Sequence, residues 1–152
     1  MTGDKKIAEL LNHNWNLLQN SLETLELSVN KCNQIGHKAK YSFEENESFD
    51  SLTSKFARTS DIYMQKILRG IWSLLHEPYV PFIDLLNKVE KTGIIDSADR
   101  LLEIRELRNE IAHEYIPETL NNLVSEVITL YPHLRKNIEY TRSFISKRYA
   151  IY

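Results

Sequence analysis

Cysteine occurs once in this chain, glycine and proline four times each in 152 residues, and 19 Lys plus Arg do not outnumber 21 Asp plus Glu. Each scarcity closes off a class of protein. A single thiol, Cys32, cannot build a disulfide framework and fits a reducing compartment. So little Gly and Pro argues against a collagenous or low-complexity chain. The opening MTGDKKIAELLNHNW is interrupted by charge and Asn, so neither a signal peptide nor a membrane span is expected there. The expectation is a cytoplasmic protein with no membrane contact. A formal net charge of −2 lacks the positive excess of a general nucleic-acid binder, so any hold on a polyanion must come from a local cleft. Gly-rich phosphate loops, C-x-x-C and H-E-x-x-H are missing too. The five His, at 13, 37, 76, 113 and 133, are scattered. No metal site and no cofactor is expected.

What is present is helical periodicity. Ala8, Leu11, Trp15, Leu18, Leu22, Leu25, Val29 and Cys32 alternate steps of three and four, a heptad seam that packs one long helix on another. Ile7, Leu10 and Leu17 widen the stripe. On this seam Cys32 reads as a small buried side chain, against the alternative of a reactive thiol. The helix should end near Gly36. Residues 34–48, QIGHKAKYSFEENES, have no period and read as a long loop without assignable chemistry. A second helix is expected from Phe49 to Leu75, broken by Pro78 and Pro81 in HEPYVP. PFIDLLNKVEKTG gives a short helix with Pro81 at its start and Gly93 beyond its end. Asp96, with Asp99 three residues on, is the expected N-cap of a fourth helix over 97–114, which Pro117 ends. A last helix covers 118–147, kinked near Pro132. These elements predict one all-α domain over 1–152, an up-and-down bundle of four to five helices.

The stretch IRELRNEIAHEYIP carries the polar chemistry. Arg108 and His113 lie five apart, about 140° around an ideal helix. Arg108 and Tyr115 share one face near Leu101, Ile104 and Ile111, whereas Asn109 and His113 share another with Leu102 and Glu106. Spacing leaves open a plain charged helix whose His sits where the dipole favours a cation. On the second helix, Asp61 and Gln65 share a face, with Lys66 and Arg69 adjacent; the alternative for them is a solvated face of ordinary ion pairs. Arg142, Lys147 and Arg148, interleaved with Tyr140 and Tyr149, suit an RNA backbone or simply a hydrophilic helix end.

RNEIAHEY resembles the R-x4-H-x-Y signature of the HEPN superfamily (higher eukaryote and prokaryote nucleotide-binding domains). More closely it resembles the HepT-like toxins encoded beside a minimal nucleotidyltransferase. Arg108 matches the family's arginine, Asn109 the polar residue after it, His113 its histidine and Tyr115 its tyrosine. The match is sharp over these eight residues and extends as architecture over most of the chain: the motif falls late in a helix, after two long ones. The resemblance implies a HEPN-like homodimer whose motif helices face each other across a shared cleft. It implies a metal-independent endoribonuclease acting on tRNA or mRNA, in which the substrate 2′-OH attacks the adjacent phosphorus. His113 would then move the proton, Arg108 hold the non-bridging oxygens, and Asn109 orient phosphate or imidazole. Asp61 is the second-helix residue expected to join the cleft. Tyr115 would accept AMP groups from the minimal nucleotidyltransferase antitoxin, silencing the toxin with charge and bulk. A non-catalytic nucleotide- or substrate-binding subunit partnering the nucleotidyltransferase, and a structural dimer, are the alternatives.

Overall fold

The computed structural model describes residues 2–113 and 120–149, and among them every regular element is helical. Helix α1, Thr2–Ile35, is built on the heptad seam. Leu11, Trp15, Leu18, Leu22, Leu25, Val29 and Cys32 are all buried. Burying a Leu side chain of this kind contributes about 2 kcal/mol, so the seam alone accounts for much of the helix's adhesion. Leu10 and Leu17 do not join it. They stay exposed, at 59% and 37%, because each lies one residue, about 100°, off the seam. Gly36, with φ +68, ends the helix in the left-handed conformation. Cys32 is buried and its thiol contacts the Ser48 carbonyl at 3.5 Å. Burial pushes its pKa up, against Lys31 and Lys55, so it is a packing residue and not an activated nucleophile.

Helix α2 corrects the expected loop over 34–48. It begins at Phe43, not Phe49. Ser42 Oγ accepts from the Glu45 amide at 3.1 Å and Glu45 Oε1 accepts from the Ser42 amide at 2.8 Å, a complete capping box. The first turns carry mostly exposed polar residues, so hydrophobic period cannot register them; the S-x-x-E spacing can. Lys38 pairs with Glu45, and Tyr41 packs edge-on against Phe49 with ring centroids 4.8 Å apart. α2 runs as α-helix to Asp61, widens into a π-helical segment over Ile62–Leu68, and resumes as Arg69–Leu74. His76, at φ +61, turns the chain out of it. The HEPYVP connection is tied back by Trp72 Nε1 to the Pro78 carbonyl at 3.1 Å and by Arg69 Nη1 to the Val80 carbonyl at 2.8 Å.

Helix α3, Phe82–Thr92, starts after Pro81 and stops at the left-handed Gly93. Helix α4, Ala98–His113, follows. Its cap is Ser97, whose Oγ accepts from the Arg100 amide at 3.2 Å. Asp96 is not the cap that the sequence suggests, because it is held elsewhere. Asn137 Oδ1 accepts from both the Asp96 and Ser97 amides at 2.9 and 3.0 Å, and the Asp96 carboxylate pairs with Lys136. Helix α5, Leu120–Tyr149, contains Pro132. α2 is the central rod, packing on α1, α4 and α5. Its Tyr63 is fully buried and shares a 2.7 Å hydrogen bond with Thr141 of α5, whose hydroxyl also reaches the Ile94 carbonyl at 2.8 Å. The buried hydroxyls are thus satisfied, as a tightly packed interior requires. No described helix is long and apolar enough to cross a membrane.

Candidate anion-binding site

The packing of α4 on α2 aligns two polar faces. From α4, Arg105, Arg108 and Asn109 point toward the middle of α2; from α2 come Arg58, Ser60 and Asp61, then Ile62, Met64, Gln65 and Lys66 of the π-helical segment. They line an open cavity of about 650 Å³. Leu101, Ile104 and Leu107 are buried beneath, so the arginines emerge beside an anchored apolar stripe and not from a loose loop. The π-helical turn directly follows Asp61, an irregularity that recurs at functional sites because it re-aims side chains within a helix.

Arg108 and Asp61 form the centre. Nε and Nη2 of the guanidinium donate to Oδ1 and Oδ2 of the carboxylate at 2.8 Å each, and Nη1 reaches Asn109 Oδ1 at 3.4 Å. The hydrogen-bonded carboxylate raises the arginine pKa further above its already high value, so a permanent cation is fixed in a bidentate geometry. Arg105 lies with its guanidinium 4.2 Å over the buried ring of Phe82 at the start of α3, which stiffens it without neutralising it. Among the described residues, four cations, Arg58, Lys66, Arg105 and Arg108, therefore share the cavity with one carboxylate, Asp61. This local surplus opposes the net acidity of the chain and is the kind of cleft that concentrates an anion.

The opposite side of α4 is acidic. Glu103, Glu106 and Glu110 border a groove against α5, where Glu126 joins them. Burial first, and Glu110 second, raise the pKa of the Glu126 carboxyl. One helix thus separates a cationic cavity from an anionic groove. Among the described residues, no group of three or more His, Cys, Asp or Glu is placed to hold a metal ion.

The residues singled out in the sequence are divided by the structure. Arg108, Asn109 and Asp61 come together, and Gln65 and Lys66 line the same cavity. His113 does not line it; it stands exposed in the last turn of α4. Tyr115 lies outside the described residues, as do Glu114 and Pro117. Arg69 is turned away to the HEPYVP connection, its guanidinium 4.6 Å over the Tyr79 ring. Arg142 lies against Glu139 at 3.2 Å and over Trp15, so it does not contribute to a free basic tail, whereas Tyr140, Lys147 and Arg148 border a concavity with Phe144. Arg58 was not foreseen. Its position three residues before Asp61 on one helix face is the signal that could have found it.

The fold and the site together define an all-helical bundle with a cationic cavity between two helices. Compared with protein-family models and with curated proteins, the chain matches none.

Proposed function

We propose that this protein is a HEPN-type endoribonuclease toxin, working as a cytoplasmic homodimer whose antitoxin is a minimal nucleotidyltransferase. The observation that carries this reading is the cavity itself: Arg108 of the RNEIAHEY motif sits among three further cations, in a chain whose net charge is negative. Electrostatic stabilisation by such preorganised donors is usually the largest single contribution to catalysis where charge develops on oxygen. His113, exposed outside its own chain's cavity, is free to serve the cavity of a second copy. That arrangement removes the difficulty of an Arg and a His pointing about 140° apart on one helix.

The reaction follows from these groups without a resident metal ion. The substrate 2′-oxygen attacks phosphorus while its proton passes to the His113 imidazole as general base. The new bond is 2′-O–P; the bond broken is P–5′-O, and the leaving 5′-oxygen takes up a proton. Arg108 neutralises the growing charge on the non-bridging oxygens, and Asn109 orients phosphate or imidazole. The products are a 2′,3′-cyclic phosphate and a 5′-hydroxyl. AMP groups added to Tyr115, two residues from His113, would bring negative charge and bulk to the cleft. Co-expression with the partner should add adenylate mass to the wild type and none to Tyr115→Phe.

One observation favours a second reading. Asp61 occupies the bidentate edge of Arg108, which keeps that edge from a reacting phosphate, as in a non-catalytic binding subunit partnering the nucleotidyltransferase. Paired induction of wild type and His113→Ala, with mapping of RNA ends, separates the two. Cyclic-phosphate ends that require His113 support the nuclease; identical, intact RNA in both cultures leaves the binding subunit or a structural dimer.

A further inference from the structure

Asp61 stands where a phosphate would stand. Its two oxygens accept from Arg108 Nε and Nη2 at 2.8 Å each, and two parallel N–H groups on one guanidinium edge are also what a phosphate takes up. Arg108 cannot offer that edge to two anions at once. The pair is not sealed: the side chains are 34% and 45% exposed, and ion pairs so open to water contribute little, so an exchange of partners costs little.

What surrounds the pair gives the exchange a direction. Among the described residues, Arg58, Lys66 and Arg105 line the same cavity with no carboxylate partner. Elsewhere several cations do have one, as in Arg100 with Glu103, Arg135 with Glu26 and Lys136 with Asp96. A single carboxylate tethered to α2 satisfies one cation. A polynucleotide brings one charge per nucleotide and reaches several of them together, so the cavity as a whole favours the polyanion over Asp61.

We infer that Asp61 is a tethered placeholder for a phosphodiester. It keeps Arg108 extended and charge-matched; on binding it yields the Nε and Nη2 edge to the non-bridging oxygens of the substrate. Asp61 is thereby a positioning residue that also opposes binding, a different role from that of a proton-transfer group. This inference rests on the phosphodiester reading of the cavity, but not on cleavage.

A single-stranded oligodeoxynucleotide, which lacks the reacting 2′-OH, reads binding alone. Its affinity is to be measured by fluorescence anisotropy at low ionic strength for wild type, Asp61→Asn, Arg108→Ala and the double variant. Removing the competing charge should tighten binding roughly fivefold or more in Asp61→Asn. In the Arg108→Ala background the same change should gain clearly less, since no edge is left to release. Binding by Asp61→Asn that is equal to or weaker than wild type, with unchanged melting, overturns the inference. Should Asp61→Asn fail to fold, the wild-type Arg108 Nε–H resonance serves instead: it should shift on adding the oligodeoxynucleotide, and an unmoved resonance at saturation overturns the inference. A gain in affinity with RNA left intact by the wild type would sink the nuclease reading alone; cleavage without any gain would sink the placeholder alone.

Discussion

Arg108 and Asp61, 47 positions apart in the sequence, meet along two parallel hydrogen bonds of 2.8 Å between α4 and α2. Neither residue's own helix specifies the encounter. The buried faces of α2 and α4 do, because Phe56, Leu101, Ile104 and Leu107 are in the core and fix how the polar edges of the two helices line up. The helix backbones that carry the cavity are therefore held by the core, which favours preorganised charge.

Geometry, beyond charge, should matter at Arg108. Lysine in its place keeps the cation but cannot make two parallel bonds. Arg108→Lys is expected to lower RNA cleavage by about 100-fold or more. Melting should change little, since a pair this exposed contributes about 1 kcal/mol or less. Full activity in the lysine variant would contradict the assigned role.

Binding should weaken steeply with salt. For single-stranded nucleic acid, each neutralised phosphate adds about −0.7 to the slope of log affinity against log salt. Arg58→Ala and Lys66→Ala should each reduce the slope by about that amount while leaving the fold intact, as both side chains are exposed. A slope that stays the same in both variants would remove them from the binding surface.

The acidic groove should make stability depend on pH. The pKa of Glu126 in the folded chain is raised, by burial and then by Glu110. A raised carboxyl contributes stability that is fully present below the usual glutamate range, about 4.3, and lost as pH rises through the folded value. Glu126→Gln should therefore melt slightly higher than wild type at neutral pH, with the difference vanishing in acid. Thermal melts across that range decide it; a variant less stable at neutral pH would contradict the assigned repulsion.

The start of α2 should depend on its cap. Ser42→Ala removes the acceptor of the Glu45 amide and is expected to cost about 1 kcal/mol. Denaturant unfolding should show it. The effect tests whether the segment before Phe49 is helix held by a capping box or an open loop, in which case stability would not move.

That segment also shows where sequence reading stops. The heptad seam from Leu11 to Cys32 is legible because burial leaves a period, and every one of those positions is buried. Glu44, Asn46 and Glu47 carry no such period although they are helical, so only the capping residues betray them. The cap of α4 shifts from Asp96 to Ser97 because Asn137, some 40 positions away, takes the Asp96 and Ser97 amides; no local pattern encodes that. The π-helical turn at Ile62–Leu68 has no signature in its residue types. At the site, Arg108, Asn109 and Asp61 were each visible as polar residues on apolar helices, whereas the gathering of four cations in one cavity depends on how α4 lies on α2.

The central claim is that Arg108 and His113 from two copies of the chain complete one cavity for an RNA phosphodiester. It is tested most directly by mixing two inactive variants, Arg108→Ala and His113→Ala, after subunit exchange. A mixed dimer pairs one intact Arg108 with one intact His113, so cleavage of RNA should return to roughly a quarter of the wild-type rate. No recovery, with exchange of subunits demonstrated, would contradict the account.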